Sequence, residues 1–375
     1  MLDRIPKQAS KTWKYHPLLK DKEIEYARLY CGGKTLDEVC PSLLKEAWSF
    51  QSGRLKAFYR SCQESKIDLN EHSFYEFIPE NILLEFLEVK NKIIEHVFKT
   101  YEKPHNYDFL ADVAKLVEEI KNQKLNIDAA ALSSRLAEFK VRQFHKKLSK
   151  TSPYISYNIF GTKTGRLTTN KGSFPILTMD KAYRSILKPQ NDFFIELDFN
   201  AAELRTLLAL SGNAQPKEDI HEWNAQNVYG GVQSREEAKK RIFAWLYNPD
   251  SKDYLSSQAY DRELVLKKHY NKGQVKTSFD RIIPADEHHA LNYIIQSTTS
   301  DLFLDRMLAV HKFLLDKKSF ISFSIHDSLV IDFAESERDL IFEVGQIFSR
   351  TIFSDFLINV REGKNYGDMK EICKI

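Results

Sequence analysis

Two aspartates that are far apart in the sequence lie where predicted strands end. Asp198 stands near the end of the apolar run FFIELDF, and Asp327 follows His326 in a tight turn between the runs FISFSI and SLVIDF. Two carboxylates on adjacent strands of one sheet can hold a pair of Mg²⁺ ions about 3.5–4 Å apart, which stabilises the attacking and leaving oxygens in phosphoryl transfer. The pair is therefore a candidate centre for metal-assisted phosphoryl transfer.

The residues after Asp198 predict a helix. The stretch AAELRTLLALSG has leucines at helical spacing, and Gly212 is suited to the position just after the helix end. This places a second carboxylate, Glu203, in the helix. A purely structural alternative is that Asp198 belongs to the turn and that Asn200 caps the helix.

A second candidate helix, REEAKKRIFAWLY, has Arg235, Lys239, Phe243 and Tyr247 at every fourth position. At about 100° per residue these side chains drift by only about 40° per step, so they form one inclined stripe. Cations come first and aromatic rings later, which suits a nucleotide with its phosphates at one end and its base at the other. An ordinary solvated helix face is the alternative.

Composition limits the classes of function. The chain has 375 residues, 42% of them hydrophobic, which is enough for a sizeable core. Its 55 basic and 52 acidic residues nearly balance, so attraction to nucleic acid must come from local placement. The four cysteines lack metal-binding spacing, and no segment is apolar enough for a signal peptide or a membrane span. A cytoplasmic location is therefore expected.

The first half of the chain is predicted to be helical. Amphipathic patterns predict helices at about 79–100 and 108–121, and Asp128 is expected to cap a third helix that continues to residue 150. Near the basic end of that helix, Lys146 and Lys147 are candidates for contact with DNA phosphates, although lysines there also suit the helix dipole. Short strands and turns begin near residue 150, where we expect a domain boundary.

Taken together, these motifs resemble those of the family A DNA polymerases. Asp198–Arg205 is similar to the first metal-binding motif of the family, D-x-x-x-x-E-L-R, and His326 with Asp327 to the second. The REEAKKRIFAWLY helix is similar to the nucleotide-binding fingers helix, R-x-x-x-K-x-x-x-F-x-x-x-Y. Further segments follow in the family order from about residue 150 to the C-terminus: TKTGRLTT (162–169), DIHEWNAQNVYG (219–230), NYIIQSTTSDL (292–302) and GKNYG.

The resemblance implies an α+β fold with right-hand polymerase architecture, in which a palm with an antiparallel sheet carries helical fingers and a helical thumb. It also implies a DNA-directed DNA polymerase that uses two Mg²⁺ ions, with Mn²⁺ as an alternative ion. The expected regions are an N-terminal region of unknown role (1–80), a thumb-like helical region (81–150), a first palm segment (151–214), the fingers (215–284) and a second palm segment (285–375).

Roles for individual residues also follow from the resemblance. The metal ligands would be Asp198, Asp327 and the backbone carbonyl of Phe199. Glu203 would be the steric gate, whose side chain occupies the space that a ribose 2′-hydroxyl needs. The dNTP would be bound by Arg235, Lys239, Phe243, Tyr247 and His221. Minor-groove acceptors are nearly independent of sequence, and DNA would be bound there and at phosphates by Arg166, Asn292, Gln296, His326, Thr164, Lys163, Lys146 and Lys147.

Some positions depart from the family pattern. Ala201 and His288 replace a usual Gln and a usual Arg, and Ser328 follows Asp327 where many DNA-copying members have Glu. A serine there is more reminiscent of the single-subunit phage RNA polymerases, so an enzyme of that class is one alternative. A catalytically inactive polymerase-like module that binds DNA is another.

The segment 1–80 is too short for a proofreading domain, so we expect no intrinsic 3′–5′ exonuclease. The chain resembles a phage-type polymerase that would act in the cytoplasm of a bacterial host. Its expected partners are primer-template DNA and dNTPs, together with a separate exonuclease or processivity protein.

Overall fold

The structure, a computed structural model, describes residues 35–67, 74–100, 102, 104–148, 151–248 and 250–375. Much of the N-terminal region of unknown role therefore lies outside the described residues. The chain divides into two compact units, Met1–Lys124 and Leu125–Ile375. The division does not fall near residue 150, because Asn126 already pairs with Lys188 in a two-stranded ladder of the second unit.

The first unit is helical in its described residues. Its α-helices are Leu36–Val39 (α1), Lys45–Glu64 (α2), Glu80–Thr100 (α3) and Tyr107–Lys121 (α4). Helices α3 and α4 confirm the two amphipathic helices predicted from the sequence. The apolar face of α3 forms a buried core with α2, in which the Trp48 and Phe86 rings lie 5.3 Å apart, and Tyr107 at the start of α4 joins this core.

The second unit combines helices with antiparallel strands. Its α-helices are Phe139–Leu148 (α5), Ala202–Leu210 (α6), Ile220–Trp223 (α7), Arg235–Tyr247 (α8), Tyr254–Ala259 (α9), Arg262–His269 (α10), Glu287–Leu314 (α11) and Ile341–Ser349 (α12). Its strands are Asn126–Ile127 (β1), Tyr157–Asn158 (β2), Thr168–Thr169 (β3), Leu187–Lys188 (β4), Phe193–Phe199 (β5), Tyr270–Asn271 (β6), Gln274–Lys276 (β7), Ile282–Pro284 (β8), Phe320–Ile325 (β9), Ser328–Phe333 (β10), Ile358–Gly363 (β11) and Lys370–Lys374 (β12).

The third helix predicted from the sequence is wrong in its first half. Asp128 is a cap, as expected, and accepts a hydrogen bond from the Ala130 N–H at 3.1 Å. The cap starts a 3₁₀-helix, Ala129–Arg135, and the α-helix begins only at Phe139. Arg135 donates to the Ala182 carbonyl at 2.9 Å, a tertiary contact that favours the tighter turn over a continuous α-helix.

A five-stranded antiparallel sheet forms the centre of the second unit, in the order β12-β11-β5-β10-β9. Strand β5 lies in the middle and is buried along nearly all of its length, which explains why five of its seven residues are apolar. Helix α12 packs on it, with the Phe199 and Phe348 rings stacked at 4.4 Å. The sheet thus gives the residues at the ends of β5 and β10 a rigid support.

The segment between α6 and α11 is largely helical. Its apolar core includes the buried Trp245 of α8 and Tyr260, and it continues into leucines of α6 and the first turns of α11. A tight turn at 271–273 joins β6 to β7, with φ angles of 45° at Lys272 and 80° at Gly273. Among the described residues, no helix is both long enough and apolar enough to cross a membrane.

Candidate active site

The sheet brings Asp198 and Asp327 together. Strands β5 and β10 are antiparallel neighbours, and Asp198 lies opposite Ser328, the residue after Asp327. Asp327 itself stands in the two-residue turn between β9 and β10, where His326 has a left-handed φ of 53° and is exposed. The two residues therefore stand at the same end of adjacent strands, as their positions in the sequence predicted, and Asp327 acts electrostatically on Asp198.

Burial and repulsion from neighbouring carboxylates disfavour the ionised forms of Asp198 and Asp327. Burial raises the pKa of Asp198 to about 6. The negative charges of Glu196 and Asp327 raise this pKa further, and the positive charge of Arg361 lowers it. Burial also raises the pKa of Asp327, and Arg166 opposes the rise. A site with two such carboxylates favours a bound cation.

The donor atoms at this end of strands β5 and β10 fit Mg²⁺. No group of three His, Cys, Asp or Glu side chains that could hold a metal occurs among the residues that the structure describes. Mg²⁺ prefers oxygen ligands and is usually bound by one or two carboxylates, waters and substrate phosphates. Asp198 and Asp327 supply that number of carboxylates, and the backbone carbonyl of Phe199, the last residue of β5, is the predicted further oxygen ligand.

Glu203 is buried between two polar partners. Arg166 donates to one of its carboxylate oxygens, and the Tyr247 hydroxyl donates to the other. Its helix, α6, begins after Ala201, which has a left-handed conformation with φ 50° and ψ 59°. The Glu203 side chain therefore connects the TKTGRLTT segment to the last turn of α8 by hydrogen bonds, next to the strand ends that carry Asp198 and Asp327.

Asn200 does not cap α6, so that structural alternative is wrong. Its side chain instead donates to Asp219 at 2.8 Å and accepts from the Ile220 N–H at 2.9 Å. The fully buried Arg205 donates to four acceptors, which are the Asn200 carbonyl, the Asn200 side-chain oxygen and the carbonyls of Pro216 and Glu218. This network ties the loop that follows α6 to the end of β5.

Helix α8 begins with a capping box in which Ser234 and Glu237 bond reciprocally. Arg235, in its first turn, makes a two-pronged contact with Asp219, with Nε–Oδ1 and Nη2–Oδ2 distances of 3.0 and 2.8 Å. It also contacts Glu236 at 2.8 Å. Lys239, one turn later, is exposed. Of the two cations in the stripe, Arg235 is thus already held in place by a carboxylate.

The aromatic half of the stripe forms a stack. The Phe243 and Tyr247 rings are nearly parallel, with 5.9 Å between their centroids, and the His221 ring lies 5.6 Å from Phe243. His221 is 4% exposed, and burial lowers its pKa to about 4. His221 is therefore neutral at physiological pH.

Acidification is expected to destabilise the chain through His221. Because the folded pKa lies below the unfolded value of about 6.5, this stabilising contribution is complete above pH 6.5 and is lost towards pH 4. Between pH 7 and pH 5 the loss should be about 2 kcal/mol in the free energy of unfolding. Urea unfolding of wild type and His221→Gln at both pH values would test this, since the variant should lose that much less. An equal loss in both proteins would contradict it.

The candidate DNA contacts fall into two groups. Asn292 and Gln296 lie one turn apart on α11 and are half-buried, and Lys163 lies 6.0 Å from the Tyr293 ring of the same helix. The neighbouring Thr164 is buried and Arg166 reaches Glu203. Separately, Lys146 and Lys147 of α5 line an open cleft of about 530 Å³ that also contains Lys140, Gln143 and the stacked rings of Phe144 and Tyr183.

Three residues near the site had no role in the sequence interpretation. Glu196 precedes Asp198 by two positions, and Arg361 contacts both of them, at 2.9 and 3.8 Å. Asp219 orients Arg235. The acidic Glu196 within an apolar run was a visible signal, whereas the partners of Arg361 and Asp219 depend on the tertiary structure.

The chain is similar to known DNA polymerases, although no family model matches it. It is 23% identical over 276 residues to DNA polymerase I of Chloroflexus aurantiacus, and this match covers 59% of this chain and 29% of that protein. It is 26% identical over 188 residues to the DNA polymerase of Mycobacterium phage L5, which covers 42% of this chain and 30% of that protein. The chain thus spans less than a third of the length of each of these relatives.

The fold is similar to that of a solved polymerase domain. The POL domain of Pol1 from M. smegmatis, in complex with DNA primer-template and dNTP, superposes with a TM-score of 0.56 at 13% identity. The match covers 77% of this chain and 76% of that one. The resemblance to family A DNA polymerases is thereby confirmed, and the chain has the α+β fold of their polymerase domain.

Proposed function

We propose that the chain is a template-directed DNA polymerase that adds dNTPs to a primer 3′-hydroxyl by two-metal phosphoryl transfer. The observation that carries this proposal is the position of Glu203, which bonds to Tyr247 of α8 and to Arg166 and acts electrostatically on Asp327. The carboxylate pair, the nucleotide stripe and the candidate DNA contact thus share one site.

The chemistry of phosphoryl transfer needs little more than positioning and charge. Asp198, Asp327 and the Phe199 carbonyl would hold two Mg²⁺ ions, which supply the activation of the primer hydroxyl and the neutralisation of the triphosphate. The central β-sheet keeps both carboxylates in place before the substrates arrive, which lowers the cost of assembling the site.

The stripe on α8 would bind the incoming dNTP. Arg235 and Lys239 would contact the phosphates through charge, and the neutral His221 through a hydrogen bond. The rings of Phe243 and Tyr247 would pack against the sugar and base. Glu203, buried and held on both sides, would exclude a ribose 2′-hydroxyl, which favours a DNA polymerase over an RNA polymerase.

Primer-template DNA would be bound largely through the minor groove and the phosphates. Arg166, Asn292 and Gln296 are hydrogen-bond donors suited to acceptors that every base pair presents there. Lys163, Thr164 and His326 would lie near the primer end, and Lys146 and Lys147 would contact phosphates. Acting on DNA, and similar to a phage polymerase, the chain would function in the cytoplasm of a bacterial host.

Extension of a labelled primer on a DNA template tests the proposal. The reactions contain Mg²⁺ or chelator, and either dNTPs or NTPs. Extension only with Mg²⁺ and dNTPs is expected. Extension with NTPs alone would indicate an RNA polymerase, and DNA binding in chelator without any extension would indicate an inactive module.

The chain should discriminate strongly against dideoxynucleotides, because Phe243 has no hydroxyl to replace the missing 3′-hydroxyl of the nucleotide. Phe243→Tyr supplies one, and a hydrogen bond of this kind is worth about 1.5 kcal/mol or more, so incorporation of ddNTPs relative to dNTPs should rise at least about tenfold. The ratio of ddNTP to dNTP incorporation is measured for both proteins. Equal ratios would show that this position does not set the discrimination.

Proofreading is not included in the proposed activity. A primer labelled at its 3′ nucleotide is expected to keep its label when it is incubated with the purified chain and Mg²⁺ without dNTPs or pyrophosphate. Release of labelled mononucleotide would overturn this expectation, provided that the releasing activity co-purifies with the chain. A primer with a mismatched end serves as the more sensitive substrate.

A further inference from the structure

Glu196 is a buried carboxylate in β5, two residues before the candidate metal ligand Asp198. It precedes Asp198 by two residues in β5, so both side chains point to the same face of the sheet. The Ser328 hydroxyl donates to its Oε1 at 2.9 Å, and the Tyr366 hydroxyl donates to the same oxygen at 3.0 Å. Its Oε2 accepts from Arg361 at 2.9 Å. Both oxygens are thus engaged, which holds the carboxylate in one orientation.

Arg361 connects this carboxylate to Asp198. It lies on β11, opposite Glu196 in the register of β5 and β11. One guanidinium nitrogen bonds to Glu196, while the other lies 3.8 Å from Asp198 Oδ2, beyond hydrogen-bonding distance. The guanidinium is therefore bound to the buried carboxylate and only neighbours the more exposed one.

The charges of Arg361 and Glu196 have opposite effects on a cation bound at Asp198. A guanidinium about 4 Å from a metal-binding carboxylate opposes cation binding, since it competes for the same oxygen and repels the cation. Glu196 compensates some of that positive charge and, through its bond, keeps the guanidinium from moving onto Asp198. Ser328, at the position where the chain departs from the family pattern, fixes the compensating carboxylate.

We propose that Glu196 and Arg361 are positioning residues that together set the divalent-metal affinity of Asp198. Glu196 holds the Arg361 guanidinium at the side of Asp198, so that the Asp198 carboxylate stays open to a metal. This inference rests on the proposed function, because it takes Asp198 as a metal ligand.

Mn²⁺ binding to the purified full chain, without DNA or dNTP, tests the inference. Free Mn²⁺ is followed by its electron paramagnetic resonance signal. Glu196→Gln should weaken binding about tenfold, because the released guanidinium pairs with Asp198. Arg361→Gln should tighten binding about tenfold, because it removes the competing cation. The double variant, which removes both charges, should bind Mn²⁺ nearly as wild type does.

The opposite signs separate this role from a merely structural one. If the network only supported the fold, both single variants would weaken Mn²⁺ binding, and weaker binding by Arg361→Gln would overturn the inference. Arg361→Lys keeps the charge and should bind nearly as wild type. Arg338→Gln is the matched control, because Arg338 pairs at 2.7 Å with Glu362, the residue that follows Arg361 in β11. The Mn²⁺ affinity of this variant should equal that of the wild type.

Thermal unfolding of each variant checks that it is folded. If a single variant does not fold, the Mn²⁺ affinity of the double variant, expected to be near that of the wild type, still tests the inference. Primer extension by the wild type is measured in parallel. Opposite Mn²⁺ shifts without any extension would count against the proposed polymerase activity alone. Extension without these shifts, or no Mn²⁺ binding to the wild type, would overturn the inference.

Discussion

Asp327→Asn is expected to lower the rate of dNTP incorporation at least about a thousandfold, or about 4 kcal/mol of transition-state stabilisation. Asparagine keeps the shape of the side chain but removes the negative charge with which Asp327 would hold Mg²⁺. Asp198→Asn should have an effect of similar size. Single-turnover incorporation of one dNTP, at saturating Mg²⁺ and DNA, measures the chemical step for each protein.

This loss should occur without a loss of stability. Burial raises the pKa of Asp327, so the folded state disfavours its ionised form, and the neutral asparagine should not lower the free energy of unfolding at pH 7. Primer-template binding in chelator should likewise be kept. A loss of rate below about tenfold in both variants would show that these carboxylates do not hold the catalytic metals.

Glu203→Ala is expected to reduce the preference for dNTPs over NTPs at least about a hundredfold, or about 2.7 kcal/mol. The wild-type side chain cannot swing away from a 2′-hydroxyl, because Arg166 and Tyr247 hold one carboxylate oxygen each. Alanine removes the atoms that would occupy this space. The ratio of kcat/KM for dCTP to that for CTP, opposite a template guanine, measures the preference.

Glu203→Gln is the matched control for steric exclusion. Glutamine has nearly the same volume and can still accept a hydrogen bond from Arg166 or Tyr247, so most of the preference should remain. Both variants lose charge, and only the alanine variant loses volume. An unchanged preference in Glu203→Ala would show that Glu203 is not the gate, and equal losses in both would assign discrimination to charge.

The local pattern of the sequence was sufficient for the elements that carry the site. The apolar run before Asp198, the leucine spacing after it and the four-residue steps from Arg235 to Tyr247 are short-range signals, and each element formed where it was predicted. The position of Asp198 and Asp327 at the same end of adjacent strands also followed, because both were placed at strand ends of one sheet. The resemblance added the assignment of roles.

Long-range contacts decided the features that could not be predicted. Asn200 has the sequence position of a helix cap, but tertiary bonds to Asp219 and Ile220 take its side chain instead. The helix predicted after Asp128 is interrupted where Arg135 reaches a distant carbonyl. The pairing of Arg361 with Glu196 joins residues 165 positions apart, and no local pattern indicates it.

The buried Arg205 has a mechanical consequence. Its hydrogen bonds join the Asn200 carbonyl, before α6, to the Pro216 and Glu218 carbonyls, between α6 and α7. Each is worth about 1 kcal/mol or more, so the junction between α6 and α7 is a poor hinge. Any rotation of α8 relative to the sheet is therefore expected at a softer point of the backbone. Gly230 and Gly231, both with positive φ angles just before α8, provide such a point, so bending would start immediately beside the helix that carries Arg235.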